Sequence, residues 1–296
     1  MVRRKRSGKQ ASTGGGGERR KLTPHRRHRP PSASPGRAAL AVDERYWIYG
    51  HHAVAAALRN ERRRLTRLLL TAETEAQYAE NIAAARARLG DRLVIARTDR
   101  EGFAERLGSD AVHQGLAAEA LPLAQPDLGA VLSAAGPQAT VLVLDQVTDP
   151  HNVGAILRSA AAFGATAVIA TQHRSPPETG SLAKAASGAL EQVPLIRVAT
   201  LVHTLEILKK AGFWCLGLAA EGAEPLAKSD LNGRIAFVLG AEGAGLRRLT
   251  REHCDLLVRL PTRAGLVQIN VSNAAAIALY ERARATSSGE SEPDAG

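Results

Sequence analysis

Residues 237–248, FVLGAEGAGLRR, form an apolar run that breaks into a glycine-rich loop carrying a single carboxylate, Glu242. A second apolar run, LLVRLP at residues 256–261, follows closely. Each run is long enough for one buried strand and is bounded by residues that favour loops. The sequence therefore predicts two strands of one parallel sheet, each ending in a loop at the same edge.

The second of these strands leads through the loop 262–268 into INVSNAAAIALYE, residues 269–281. This alanine-rich segment predicts a helix. Asn270 and Ser272 stand at its start, where free backbone N–H groups need acceptors. A glycine loop and a polar helix start are thus expected to meet at the carboxyl edge of the sheet, where α/β proteins bind their ligands.

Upstream, short apolar runs alternate with helical segments, which predicts a mostly parallel, doubly covered sheet within residues 140–285. The predicted strands are 141–145, 167–171, 195–198 and 213–219. The predicted helices are 153–163, 182–191 and 201–211.

Residues 43–121 predict a separate, small α/β domain. Its predicted elements are a strand or turn followed by a helix in 46–60, strands at 67–71, 93–96 and 112–120, and helices at 73–89 and 100–107. Prolines and glycines make residues 122–139 a linker with room for one short helix.

The charge is concentrated in the first 42 residues. Residues 1–40 contain twelve Lys or Arg and one acid, whereas the rest of the chain has 27 basic and 28 acidic residues. Such a segment buries too little apolar surface to fold alone, so a disordered basic arm is expected, with nucleic acid as its natural partner. A solubilising tail without specificity is the alternative. Residues 286–296 predict an acidic, disordered end.

Other features exclude several classes of protein. The sequence has no apolar run of eighteen residues, so no membrane partner is predicted. Cys215 and Cys254 are far apart and lack metal-ligand spacing, which predicts inert thiols, no metal site and a reduced, cytoplasmic location. The segment after the first strand of the large sheet, residues 146–164, contains neither GxGxxG nor a P-loop lysine, which argues against an ordinary dinucleotide site.

Three ordered motifs resemble those of the SpoU, or TrmH, family of RNA ribose 2′-O-methyltransferases. They are residues 149–165, 237–248 and 260–281. In the small domain, GHHAV (50–54) and VHQGL (112–116) resemble an L30e-like RNA-binding domain found in the bacterial branch that methylates a guanosine of 23S ribosomal RNA. GALEQVPLIRV and LRRLTREHCD, in the large domain, are similar to that same branch.

The resemblance implies a C-terminal trefoil-knotted domain that binds S-adenosylmethionine and forms homodimers. Its backbone contacts with the cofactor would fall at Gly240, Leu260, Ile269 and Ala220. Apolar walls and close backbone approach also suit an adenine ring on physical grounds.

The resemblance also implies the residues of the reaction centre. These are Asn152, Arg158, Glu242, Asn270 and Ser272. Taken alone, Asn152 is equally well explained as a helix N-cap, and Arg158 as a solvated helix residue. The high pKa of arginine makes Arg158 a poor base, so phosphate anchoring and charge stabilisation are its expected roles. Glu242 is expected to orient Arg158 or the glycine loop.

The sequence departs from the family at Gln268, where a serine is usual, which places any role of that hydroxyl in doubt. The function that the resemblance implies is methylation of a guanosine ribose in 23S ribosomal RNA. Two alternatives stay open at this point. One is a transfer-RNA ribose methyltransferase of the same fold, and the other is a non-catalytic RNA-binding protein of ribosome assembly.

Overall fold

The computed structural model describes residues 45–263 and 269–287, all of which belong to one compact unit. The basic arm, Gln268 and most of the acidic end lie outside the described residues. The strands are β1 Tyr46–Tyr49, β2 Leu65–Leu70, β3 Val94–Arg97, β4 Leu116–Ala120, β5 Thr140–Asp145, β6 Ala167–Thr171, β7 Leu195–Val198, β8 Phe213–Leu218, β9 Glu224–Pro225, β10 Arg234–Gly240 and β11 Leu256–Arg259. The helices are α1 His51–Arg59, α2 Ala72–Gln77, α3 Ala79–Leu89, α4 Arg100–Leu107, α5 Leu128–Ala134, α6 Pro150–Ala162, α7 Gly180–Ala186, α8 Leu201–Lys210, α9 Arg248–Glu252 and α10 Val271–Ser287.

The first four strands form a mixed sheet in the order β1-β4-β2-β3, in which β4 is antiparallel to both neighbours and β2 and β3 are parallel. Together with α1–α4 this sheet is called the small lobe. Its interior is aliphatic, because Leu68 and Leu70 of β2 and Leu116 of β4 are fully buried.

The other strands form a seven-stranded sheet in the order β7-β6-β5-β10-β8-β11-β9, parallel throughout. With α5–α10 it is called the large lobe. Neighbouring residues of the central strand β10 belong to different apolar clusters. Phe237 belongs to the cluster that includes residues of α6, α7 and α10, whereas Val238 belongs to the one that includes residues of α5 and α8. Helices thus cover both faces, as a buried parallel sheet requires. The predicted α/β fold is confirmed, and the trefoil knot stays a prediction.

The carboxyl ends of the central strands meet at one edge of the large sheet. Asp145 at the end of β5 pairs in register with Gly240 at the end of β10, and Leu218 of β8 pairs with both Leu239 and Val258. The strands β10 and β11, which contain the two apolar runs predicted near residues 237 and 256, therefore end at the same edge. They are not neighbours, because β8 lies between them.

Two predicted helices are interrupted. The helix expected at 73–89 breaks at Tyr78 into α2 and α3, and Thr71 forms a capping box with Thr74 that fixes the short first helix. The helix expected at 182–191 ends at Ala186, because Ser187 and Gly188 adopt left-handed conformations. A short 3₁₀ turn then carries Glu191 toward the small lobe.

Other boundaries also differ from the predictions. The strand expected from residue 112 begins at Leu116, since Gln114 and Gly115 have positive φ and form a turn. α6 begins at Pro150, before the predicted residue 153, because Asp149 caps it and proline suits the first turn. β9 and α9 were not predicted. α10 extends to Ser287, beyond the predicted end of the helix at residue 281.

Arg63 joins the two lobes. Its guanidinium is fully buried and donates from Nη2 to Glu191 Oε1 (2.6 Å) and from Nη1 to the Leu121 carbonyl (2.9 Å) and the Tyr46 hydroxyl (3.1 Å). Glu178 Oε2 lies 3.4 Å from Nη1 and accepts from Tyr46. Desolvation lowers the pKa of Arg63, but the Glu191 hydrogen bond and nearby negative charges outweigh it and raise the pKa overall. The contact between the lobes therefore includes a paired, buried charge beside the apolar cluster that both lobes share.

No helix among residues 45–263 and 269–287 is long and apolar enough to cross a membrane. Within the same residues there is no group of three or more His, Cys, Asp or Glu side chains placed to hold a metal ion.

Candidate active site

A cavity of about 420 Å³ lies at the carboxyl edge of the large sheet. Its walls come from the end of β8, the loop after β10, the segment after β11 and the start of α10. The four predicted cofactor contacts, Gly240, Leu260, Ile269 and Ala220, all line it. The volume lies within the range of small-molecule sites, and the walls are mainly apolar side chains and backbone. The cavity therefore fits an adenosine-bearing cofactor.

Close packing and positive φ angles explain why the end of β10 and the loop after it are rich in glycine. A Cβ placed there would lie 2.1 Å from the carbonyl carbon of Gly245, so the loop folds directly onto the end of its strand. The Gly245 amide donates to the Ala241 carbonyl (2.9 Å), and both Gly243 and Gly245 have positive φ. Side chains at these positions would open the turn that forms one wall of the cavity.

Asn152, Glu242 and Asn270 form a polar cluster beside the cavity. Asn152 Nδ2 donates to Glu242 Oε1 (2.9 Å), Asn270 Nδ2 donates to Asn152 Oδ1 (3.0 Å), and Asn270 Nδ2 also contacts Glu242 Oε1. These residues come from α6, the glycine loop and the residue before α10. The structure thus brings together side chains from all three sequence motifs.

Ser272 belongs to the same cluster through Asn270. Asn270 Oδ1 accepts hydrogen bonds from the Ser272 amide (2.8 Å) and the Ser272 hydroxyl (2.6 Å), so Asn270 caps α10 while its Nδ2 reaches the cluster. The capping interpretation of Asn152 is wrong, because Asp149 caps α6 by accepting from the His151 amide. The side chain of Asn152 is therefore free to join the cluster.

Arg158 stands apart from these residues. Its side chain is exposed on α6, six residues beyond Asn152, and the hydrogen bonds of the cluster do not include it. Six residues correspond to more than one and a half helical turns, which places the two side chains on different faces of α6. Glu242 consequently orients two asparagines within this chain, not Arg158.

Asp145 is a residue at this edge that the sequence analysis missed. It is fully buried at the end of β5 and accepts from the backbone amide of Arg247 (3.0 Å) and from its Nε (2.6 Å). This pair fixes the far end of the glycine loop against the neighbouring strand. The sequence VLVLD, residues 141–145, contains a signal for this pairing. An acid that ends an apolar strand needs a partner when it is buried.

Glu221 and Arg251 form an ion pair and also line the cavity. A backbone hydrogen bond, together with the Arg251 hydrogen bond and charge, holds the pKa of Glu221 below its ordinary value despite some desolvation. Glu221 follows β8, and Arg251 lies on α9. The sequence contains no pattern that would indicate a contact between Glu221 and Arg251, which are thirty positions apart. The helix α9, which carries Arg251, was not predicted either.

Both cysteines lie in the large lobe near the start of β8. Burial, with a contribution from Asp255, raises the pKa of Cys215 to about 12, and burial also raises the pKa of Cys254 to about 12. The thiols are therefore protonated at neutral pH, which agrees with the expectation that they are inert.

The edge of a parallel sheet, a closed glycine loop and an apolar cavity flanked by amides define a ligand-binding α/β protein. Comparison with known families identifies the class further. Residues 139–280 match the model described as "SpoU rRNA Methylase family", and residues 47–126 match the model described as "RNA 2′-O ribose methyltransferase substrate binding".

Curated relatives align along nearly their whole length. One is 23S rRNA (guanosine-2′-O-)-methyltransferase RlmB of Pseudomonas putida, 41% identical over 80% of this chain and 95% of the relative. RlmB of Ralstonia nicotianae is 42% identical over 80% of this chain and 94% of the relative. The chain belongs to the SpoU rRNA methylase family.

Solved structures support the fold. The SpoU methyltransferase AviRb of Streptomyces viridochromogenes, determined in complex with AdoMet, superposes with a TM-score of 0.70 at 22% identity and covers 82% of this chain and 91% of its own. A TrmH-family protein of Porphyromonas gingivalis gives a TM-score of 0.63 at 25% identity, covering 81% of this chain and 90% of its own.

Proposed function

We propose that this protein transfers a methyl group from S-adenosylmethionine to the ribose 2′-hydroxyl of a guanosine in 23S ribosomal RNA. The observation that carries the proposal is the cavity at the carboxyl edge of the large sheet, bordered by the cluster of Asn152, Glu242 and Asn270. The substrate is suggested by the RlmB relatives, which align over 93–96% of their own length.

The cofactor would be held by backbone groups of Gly240, Leu260, Ile269 and Ala220, all of which line the cavity. When bound, S-adenosylmethionine supplies an activated methyl group. The apolar walls exclude water from that group, and the tight turn at Gly240 lets the backbone approach an adenine ring.

The polar cluster positions the ribose. A ribose hydroxyl is a weak nucleophile, so most of the acceleration must come from holding its oxygen in line with the methyl group. Glu242 Oε1 accepts from both Asn152 and Asn270, which fixes the two amides relative to the cavity. Ser272 supplies a hydroxyl beside them.

Arg158 anchors the RNA. Its exposure on α6 leaves the guanidinium accessible to a substrate phosphate, for which a planar donor with five N–H groups is well suited. In the homodimer that this proposal includes, its permanent charge would serve a site completed by two chains, where it would stabilise the negative charge that develops on the 2′-oxygen.

Three further properties belong to the same proposal. The protein would act in the cytoplasm, where its ribosomal RNA substrate is made. It would form a homodimer through the large lobe, with the site completed near the partner chain. The basic arm, residues 1–42, would add salt-dependent affinity for RNA.

The decisive experiment is methyl transfer from labelled S-adenosylmethionine to protein-free 23S ribosomal RNA and, separately, to bulk transfer RNA, both from a strain that lacks this protein. Nucleoside analysis should find the label as 2′-O-methylguanosine in the ribosomal RNA. Label only in transfer RNA would keep the chemistry and overturn the substrate. Cofactor binding without transfer to either RNA or to pre-ribosomal particles would instead support the non-catalytic alternative.

A further inference from the structure

The ion pair of Glu221 and Arg251 lines the cavity at the carboxyl edge of the large sheet but has no part in the polar cluster beside it. Among the described residues that line this cavity, the charged ones are Glu221, Glu242 and Arg251. Glu242 Oε1 is already engaged by the amides of Asn152 and Asn270. The ion pair is therefore the part of the described lining where a ligand meets charges of both signs.

The ion pair and the polar cluster lie on different sides of the sheet edge. Two helices that position the cluster, α6 and α10, pack on one face of the sheet. Arg251 lies on α9, which contacts α8, and α8 covers the other face. A ligand in the cavity between them would face the amides with one of its groups and the ion pair with another.

Neighbouring backbone holds both charged residues in place. Glu221 precedes Gly222, where a Cβ would lie 2.4 Å from the carbonyl carbon of Val258, so this turn packs directly on β11. The Arg251 amide donates to the Arg247 carbonyl (2.9 Å). The two side chains are 56% and 35% exposed, respectively. The pair thus stands at the rim of the cavity, in contact with solvent.

S-adenosylmethionine has a group that matches such a pair. Its adenosine suits the apolar walls, whereas its amino-acid end has an ammonium and a carboxylate that are both largely ionised at neutral pH. Burying either charge without a partner is costly, so this end is most stable where the cavity is open to water and opposite charges are present. Glu221 is ionised as well, because a backbone hydrogen bond and Arg251 hold its pKa below the ordinary value.

We propose that Glu221 and Arg251 bind the amino-acid end of S-adenosylmethionine, with the Glu221 carboxylate accepting from its ammonium and the Arg251 guanidinium donating to its carboxylate. The inference deepens the proposed function and rests on it for the identity of the cofactor. Holding the amino-acid end on one side of the sheet edge would turn the methyl group, which is bonded to the same sulfur, toward the polar cluster on the other side.

The test compares three ligands that share the adenosine and the sulfur atom. S-adenosylhomocysteine has both charges of the amino acid, its decarboxylated form has the ammonium alone, and 5′-methylthioadenosine has neither. Isothermal titration calorimetry gives the Kd of each ligand for the full chain, unchanged and with Glu221→Gln or Arg251→Met. The matched controls are Arg248→Met and Glu252→Gln, which break an exposed ion pair on α9 (2.6 Å) whose two members do not line the cavity.

Arg251→Met should weaken S-adenosylhomocysteine about tenfold and weaken neither of the other ligands, because only the ligand carboxylate has lost its partner. Glu221→Gln should weaken S-adenosylhomocysteine and the decarboxylated ligand about tenfold each, and leave 5′-methylthioadenosine within about twofold, because the ammonium has lost its acceptor. The control variants should change none of the three Kd values. Unchanged binding of 5′-methylthioadenosine also shows that the cavity of each variant is intact.

Equal weakening of all three ligands by either variant would overturn the proposal, because the pair would then act on the adenosine or on the shape of the cavity. Unchanged Kd values for S-adenosylhomocysteine in both variants would overturn it too. Methyl transfer to RNA is measured separately. Normal transfer by the unchanged protein, with no discrimination among ligands in the variants, removes only this inference. The expected losses in a protein that methylates no RNA remove only the proposed reaction.

Discussion

Replacing Arg63 by methionine tests what holds the two lobes together. The substitution preserves most of the side-chain volume and removes a guanidinium that is fully buried, leaving Glu191 and Glu178, whose side chains are 5% and 9% exposed, without their cation. Removing one partner of a buried pair typically costs about 3–5 kcal/mol, because the remaining charge is left uncompensated. For a unit of this size that corresponds to a fall in Tm of roughly 6–20 °C.

The free energy of unfolding is measured by urea titration and the Tm by calorimetry. Arg97→Met is the matched control: Arg97 pairs with Glu75 at the surface, where its side chain is 70% exposed, and such pairs contribute about 0–1 kcal/mol. The double variant Arg63→Met with Glu191→Gln should lose less than the sum of the two single variants, since the second change removes one of the stranded charges.

The Arg63→Met substitution should also change the function of the protein. At a temperature where the Arg63→Met protein is folded, the KM for RNA should rise and the affinity for S-adenosylmethionine should stay the same, because the cavity lies wholly in the large lobe. A loss of stability no greater than that of Arg97→Met would refute the argument. Strictly additive effects of Arg63→Met and Glu191→Gln would also refute it, by showing that the pair is not coupled.

Three further predictions concern the large lobe. Arg158→Ala should abolish most methyl transfer and leave the Kd for S-adenosylmethionine unchanged. The control Lys210→Ala, which removes an exposed charge at the amino edge of the sheet, should change neither the transfer rate nor that Kd. Loss of cofactor binding alone in Arg158→Ala would contradict the role assigned to Arg158. Gly240→Ala should weaken cofactor binding about tenfold or more and lower the Tm, since its Cβ would overlap the facing backbone, whereas Gly136→Ala, with open space around it, should do neither. Both cysteines, with pKa values raised to about 12, should react with a disulfide reagent at pH 8 at least ~100-fold faster in denaturant than in the folded protein; rapid native labelling would contradict their burial.

Much of the large sheet could be predicted from the sequence because its strands are buried on both faces. β6 and β7 match the predicted bounds, and β5 differs by one residue, since an uninterrupted apolar run flanked by loop residues has few other interpretations. The meeting of Asn152, Glu242 and Asn270 followed from the resemblance and from the common edge of parallel strands. Their hydrogen bonds agree with that expectation, although their roles in the reaction stay a prediction.

The failures have a common cause, which is that tertiary contacts decided the local structure. The short helix α2 is fixed at its start by Thr74, whose hydroxyl donates to the Gly115 carbonyl forty-one residues away (2.7 Å). Helix propensity along residues 72–89 does not reveal that bond. In the same way, Ser187 ends α7 early and allows Glu191 to reach Arg63. Asp145 and Arg247 are 102 positions apart, so their pairing required the register of β5 and β10.

The cluster beside the cavity shows why function in this protein depends on register more than on any one helix or loop. Asn152 and Asn270 each lie at the start of a helix, where the backbone alone would tolerate several polar residues. They meet because β5 and β10 are adjacent and because α6 and α10 pack on the same face of the sheet, where Val153 and Val271 enter one apolar cluster. Glu242 then joins the two helix starts through a single oxygen. A change that shifted β10 by one residue would preserve every local motif and still separate the three side chains.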